Sequence, residues 1–269
     1  MLSNALKATV LASALFAASN ADATIVRFET SLGDFEVNLF DEYTPETVEN
    51  FLAYVEDGAY SDTFIHRSVK GRVVQGGGYA YDADYSALDK ILSTPHIQTL
   101  PPIINEPVLS NQRGTIAMAK LGNNPNSATS EWFFNVADNS GDRWNLDNQN
   151  DGFTVFGQVI GDGMNVIDEI NELDVINMGI NTAFMELPLV DYTQQDLTNE
   201  APITDENRVM IYRITVTDPA VDTAADLEPV MAIKQSPPPP AKKKKSGTPG
   251  SEFLLVLAGL AFSRRLWKK

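Results

Sequence analysis

Residues 64–79, FIHRSVKGRVVQGGGY, constrain the fold of this chain more than any other stretch. They place His66 and Arg67 in one short extended segment and Gln75 in a second, and they end in Gly76, Gly77 and Gly78, where only a backbone without a Cβ would fit. The result is a polar pair set among apolar residues. Residues 127–135, SATSEWFFN, have the same character, with Ser130 and Glu131 leading into three consecutive aromatics.

Strand-like alternation surrounds both stretches. Residues 24–30 (TIVRFET) and 35–40 (FEVNLF) flank turn chemistry around Gly33 and predict an opening hairpin. Thr44 reads as an N-cap before Pro45 and Glu46. Val48, Phe51, Leu52 and Val55 then recur at helical spacing until Gly58, so a helix is expected there with one face over an apolar opening. Residues 81–102 form a polar loop with little regular structure expected, 114–120 (GTIAMAK) a strand, 138–152 a long polar loop, and 153–160 (FTVFGQVI) another strand. A second helix opens at Gly163, with Met164, Ile167, Ile170 and Leu173 on one face. Residues 174–207 read as an irregular connection and 208–217 (RVMIYRITVT) as the closing strand. Many strands with two helices fit a closed antiparallel barrel capped at its ends, which also disposes of exposed sheet edges.

Charge and composition narrow the function. Across the 269 residues 36 acidic side chains face 20 basic ones, and between residues 24 and 235 the counts are 34 and 11, a net charge near −23. Phosphate binding needs a basic surface, so nucleic acid is not an expected partner. The chain has no cysteine, which removes disulfides, thiolate zinc sites and cysteine nucleophiles, and His66 and His96 alone do not make a histidine-rich metal site. No metal and no cofactor are expected. Residues 147–152 (DNQNDG) hint at a calcium loop, but Gln149 and Gln158 stand where an EF-hand needs acidic ligands, and the Asp and Asn read as turn formers.

The ends carry their own signals. Residues 1–23 combine one lysine, an apolar run over 8–18 and the small-residue sequence Ala21-Asp22-Ala23, the pattern of a signal peptide, so the mature chain is expected to begin at Thr24 and to be exported to the periplasm or cell envelope. Residues 218–249 read as a linker, with prolines at 237–240 and lysines at 242–245. In the tail, 250–269, a ten-residue apolar run over 253–262 precedes Arg264, Arg265, Lys268 and Lys269. As a helix it would reach about 15 Å, half of a hydrocarbon core of about 30 Å. A sorting tail, a membrane or interfacial anchor and a disordered end all remain open.

The two central stretches, together with the Met118-Ala119 strand, occur in the order of the Phe-His-Arg, Gln-Gly-Gly and Ser-x-Phe-Phe motifs of the cyclophilins. Over residues 24–217 the chain resembles that family of peptidyl-prolyl cis-trans isomerases. The resemblance implies a mainly β fold, a closed eight-stranded antiparallel barrel capped by two helices, acting without a cofactor on proline-containing unfolded or flexible polypeptides. Prolyl bonds turn slowly because rotation breaks amide resonance, a barrier of roughly 18–20 kcal/mol. A catalyst lowers it by holding the ring in an apolar pocket, withdrawing the carbonyl from water and donating a hydrogen bond to the amide nitrogen, whose lone pair is freed only in the twisted transition state. An always-protonated arginine suits that task, and the resemblance gives it to Arg67. It also implies Gln75 as a contact to substrate backbone, Phe133, Val73 and Met118 around the proline pocket, and Leu146 and Phe153 on its rim. His66, next to Arg67 on a strand, is expected to point to the other face.

The chain departs from the family pattern at several places. Arg72 replaces an aromatic pocket wall, Lys70 a usual proline, and Glu131 the Gln before the paired aromatics, with Trp132 next. Asn145 stands where some cyclophilins carry the tryptophan linked to cyclosporin binding, so tight binding of that drug is not expected. Arg72 and Glu131 count among the substrate-binding residues, and two arrangements are open for them. Arg72 weakens the pocket by itself, or it pairs with Glu131 to make a polar wall. The alternative to an isomerase assisting the folding of exported proteins is a proline-segment binding module or chaperone of the same fold with little activity.

Overall fold

The computed structural model describes residues 24–88, 90–141, 144–179, 183–218 and 227–233. The expected leader (1–23), the tail (250–269) and the linker apart from Asp218 and 227–233 lie outside the described residues. In chain order the elements are β1 (Ile25–Thr30), β2 (Gly33–Leu39), α1 (Pro45–Glu56), β3 (Thr63–Phe64), β4 (Arg67–Val69), β5 (Val73–Gly76), β6 (Thr115–Met118), β7 (Trp132–Asn135), β8 (Val155–Ile160), α2 (Gly163–Glu172), β9 (Val175–Ile176), β10 (Leu187–Pro188), α3 (Gln194–Thr198) and β11 (Met210–Asp218).

Nine strands form one antiparallel sheet in the order β3-β11-β1-β2-β8-β6-β7-β5-β4. Its two ends belong to one stretch of chain. Between β3 and β4 the Ile65 amide donates to Val209 O at 2.9 Å, on the β11 side, and the His66 amide donates to Gln75 O at 3.2 Å, on the β5 side. With β3 and β4 taken as a single kinked strand, the sheet is an eight-stranded curl whose ends meet.

Alternation sends one set of side chains inside the curl. Phe28 and Phe35, directly opposite across β1 and β2, stack with centroids 4.9 Å apart, and Phe28 meets Trp132 and Phe134 edge-on at 5.3 and 5.5 Å. α1 closes this core with Val48, Phe51, Tyr54 and Val55, and α2 does so with Ile167 and Ile170, while Met164 and Leu173 pack against it half-buried. The second helix and its apolar face follow the sequence reading.

The cap of α1 does not. Thr44 makes no side-chain cap; its hydroxyl donates to Phe40 O at 3.4 Å. The exposed amides of the first turn go instead to the carboxylate of Glu106, which accepts from Thr47 N at 2.9 Å and Glu46 N at 3.4 Å, a charge well placed at a helix N-terminus.

Residues 174–207 are more ordered than an irregular connection. β9 and β10 pair through Ile176↔Leu187 and Val175↔Pro188, and α3 starts at a reciprocal Thr193–Asp196 capping box. Ile176, Phe184, Leu187, Leu189, Tyr192 and Ile203 make a second apolar cluster with Phe64, Tyr79, Ile91 and Met210, outside the curl at β3. Residues 227–233, inside the expected linker, lie along the domain: Ser110 N donates to Val230 O at 2.7 Å and Ala232 N to Val108 O at 2.9 Å.

Candidate active site

The strand registers put a second row of side chains on the outside of the curl. Arg67 lies opposite Gln75 and Val69 opposite Val73; Gln75 lies opposite Phe133, Phe133 opposite Ala117, and Ala117 opposite Val155. Because side chains alternate, Val74, Phe134, Ile116 and Phe156 face inward while this row faces outward. Val73, Ala117, Phe133 and Val155 join Phe40, Leu109, Ala119, Leu146 and Phe153 in one apolar cluster, with Phe153 edge-on to Phe133 at 5.8 Å. The three glycines let β5 approach Trp132. A Cβ on Gly76 would lie 2.7 Å from the indole, and one on Gly77, at φ +79°, 2.6 Å from Ser130 O.

Met118 requires a correction. It is buried in the interior cluster, opposite Trp132, because it follows the outward-facing Ala117 by one residue. It supports the core and does not line the outer face.

The loop carrying Leu146 and Phe153 is held from behind by buried polar groups. Asp147 accepts from the Ser110 hydroxyl at 2.6 Å and from the Asn111 amide at 2.7 Å. Asn135 donates to Thr115 Oγ1 at 2.9 Å and accepts from Asn139 at 2.7 Å. The buried Lys120 ammonium donates to Asn150 O at 2.9 Å and Gly152 O at 2.6 Å and sits 4.9 Å from the Phe153 ring.

Polar groups border the apolar row at the β4 edge. Arg67, whose side chain is 13% exposed, donates through Nε to Glu186 Oε2 at 2.8 Å, and its buried Nη1 has no partner. Gln75 donates through Nε2 to Glu131 Oε2 at 2.7 Å, leaving its buried Oε1 unpaired. Glu131 Oε2 is also 3.4 Å from Nε2 of His66, which is buried away from the outer row against the Tyr79 ring at 5.0 Å. Burial pushes the Glu131 carboxyl up, but the hydrogen bond and charge of His66, with help from Gln75 and His96, outweigh it and hold the group below its ordinary value. Burial holds His96 below its ordinary value, with Glu131 opposing.

Arg72 does not form the pair with Glu131, one of the two arrangements left open by the sequence. It is 4% exposed, its guanidinium lies 4.0 Å over the Trp144 ring, and its Nε has no partner. Glu131 is engaged by His66 and Gln75, so no Arg72–Glu131 wall forms. Burial foremost, and the charge of Arg67 after it, lower the Arg72 pKa to about 10 against the opposing charge of Glu186. Of the residues expected at the site, the fold brings Arg67, Arg72, Val73, Gln75, Glu131, Phe133, Leu146 and Phe153 to one side of the sheet. Sequence reasoning missed Glu186, Trp144 and Lys120. Only Trp144 left a local trace, as the neighbour of Asn145.

Comparison with known proteins shows the family of the chain. The family described as "Cyclophilin type peptidyl-prolyl cis-trans isomerase/CLD" matches residues 25–188. The chain belongs to the cyclophilins. It is 35% identical over 184 residues to a peptidyl-prolyl cis-trans isomerase of Acinetobacter baylyi, covering 68% of this chain and 90% of that one. It is 36% identical over 177 residues to peptidyl-prolyl cis-trans isomerase B of Escherichia coli, covering 65% and 98%. A Cryptosporidium parvum cyclophilin solved in the presence of the dipeptide Ala-Pro superposes with a TM-score of 0.47 at 20% identity, covering 72% of this chain and 99% of that one. The protein is a cyclophilin-type peptidyl-prolyl cis-trans isomerase.

Proposed function

We propose that this cyclophilin turns X-Pro bonds on the outer face of β5, β6 and β7, with Arg67 as the donor to the prolyl nitrogen. The observation that carries the reading is the Arg67 Nη1 group, a buried charged donor without a partner beside the apolar cluster of Val73, Phe133, Leu146 and Phe153. A buried donor left unpaired costs about 1–3 kcal/mol, more when charged, so such a group in a folded protein points to a ligand that completes it. The proline ring would rest on Phe133 between Val73 and the Leu146–Phe153 rim. Gln75 Oε1, also unpaired, would accept from a substrate backbone amide. As the bond twists, the nitrogen lone pair localises and the hydrogen bond from Arg67 strengthens, which is stabilisation of the transition state over the ground state. A protease-coupled assay on an Ala-Pro peptide tests this: acceleration by the purified protein is expected, and proline-peptide binding without acceleration would leave a binding module instead.

The proposed setting is the folding of exported proteins. Its support is the signal-like pattern of residues 1–23 and the basic end behind the apolar run of 253–262, an arrangement that favours retention of that end on the cytoplasmic side of a membrane. Cleavage after Ala23 and loss from the envelope fraction on deletion of residues 250–269 are the expected outcomes of N-terminal sequencing and fractionation. A freely soluble full-length protein with its tail intact would overturn both the anchor and the sorting readings.

A further inference from the structure

We propose that Glu186 is a positioning residue for prolyl isomerisation, holding Arg67 by one edge so that the other is presented to substrate; the inference rests on the assignment of Arg67 as the donor. Among the described residues Glu186 is the one side chain that hydrogen-bonds the Arg67 guanidinium, Nε to Oε2 at 2.8 Å. The opposite corner of the fork, Nη1, is left free. A guanidinium is planar, so fixing its Nε–H direction fixes the directions of its remaining donors.

Glu186 is itself fixed. Its backbone oxygen accepts from the amide of Ser68, the residue after Arg67, at 2.7 Å. The next residue, Leu187, is fully buried with Phe64 and Tyr79 in the second apolar cluster and pairs with Ile176 across the β9–β10 hairpin. A carboxylate anchored at its own backbone and one residue on loses little further freedom in gripping Arg67, unlike an exposed surface ion pair. The segment that sequence alone shows as an irregular connection therefore supplies a part of the active site. Glu186 has a second task at the same place. Arg72 brings another buried cation near Arg67, and Glu186 supplies the opposing charge. Gln75, the cross-strand neighbour of Arg67, does not substitute, because its amide nitrogen is bound to Glu131.

Three variants of the purified protein separate positioning from stability. For Glu186→Ala the expected result is a kcat lower by about 10- to 100-fold, the value of a hydrogen bond to a charged group, with KM within about twofold. For Glu186→Gln, whose amide oxygen still accepts from Nε, kcat recovers to within about threefold of the parent; Glu186→Asp, one methylene short, falls between them. The Nε–H resonance of Arg67, identified by its disappearance in Arg67→Lys, is expected to be protected from exchange in the parent and in Glu186→Gln but not in Glu186→Ala. A merely structural role would lower Tm and leave both kcat of the folded protein and that resonance unchanged, which would overturn the proposal. So would a Glu186→Gln kcat as low as that of Glu186→Ala, since the carboxylate would then act by charge alone. If Glu186→Ala does not fold, the Gln and Asp variants carry the same comparison. Retention of activity in Arg67→Ala would instead sink the donor assignment; its loss together with an unaffected Glu186→Ala sinks only this inference.

Discussion

The two faces of β5, β6, β7 and β8 are built from neighbouring residues and do opposite things. Inward, Val74, Ile116, Phe134 and Phe156 pack with the rings of β1 and β2 beneath α1 and α2. Outward, Val73, Ala117, Phe133 and Val155 form an equally apolar row, but its edge carries Arg67 Nη1, Gln75 Oε1 and Arg72 Nε, all buried and unpaired. Apolar content does not separate a core from a binding surface. What marks the outer row is the cluster of unsatisfied polar groups at its edge, because each costs about 1–3 kcal/mol unless something outside the fold completes it. Among the described residues the buried unpaired atoms also include Trp132 Nε1, beside the close approach of Gly77, His66 Nδ1, Asn139 Oδ1, and Nε and Nη1 of Arg208.

The contrast can be tested from the inside first, where the largest effect lies. Phe134→Ala should cost about 3–5 kcal/mol of stability, read by urea unfolding, while the fraction still folded keeps kcat within a few-fold. A large fall in kcat at full folding would mean that the two faces are not independent. A smaller effect is expected from Arg72→Phe on the outer face. It removes a buried cation close to Arg67 and leaves a ring to stack on Trp144, so a gain of about 1–2 kcal/mol in stability and faster turnover of a small-residue-Pro peptide are expected. Combined with Glu131→Gln, the two changes should add within about 0.5 kcal/mol, because Glu131 is held by His66 and Gln75 and not by Arg72. Strong coupling would restore the polar wall that the structure lacks.

The smallest effect concerns acid. The Glu131 carboxyl is held below its ordinary value of 4.5. A carboxyl depressed on folding adds stability that is present above its unfolded pKa and is lost as pH falls through the lower folded one. Stability should therefore drop below about pH 4.5, and Glu131→Gln should flatten that part of the pH profile, as followed by Tm. An unchanged acid limb would place the proton-linked loss elsewhere.

What could be read from the sequence was whatever a period of two or a short motif encodes. The opening hairpin and the second helix with its apolar face follow from local spacing, whereas Arg67, Gln75 and Phe133 came from the resemblance of short motifs to the cyclophilins. Met118 was misplaced because the facing of β6 depends on its register with β7, which no single strand shows. The supports were hidden for a plainer reason: they act across long separations. Glu106 caps α1 from 59 residues away and Glu186 grips Arg67 from 119 away. The Thr193–Asp196 capping box of α3, by contrast, lies within four consecutive residues.

Arg67→Ala is the most direct test of the outer face as the catalytic one. Measured side by side for the parent and the variant, the prolyl isomerisation rate should fall by two to three decades, about 2.7–4 kcal/mol of transition-state stabilisation for one preorganised donor, while the unfolding midpoint stays unchanged. Full activity in Arg67→Ala would contradict the assignment.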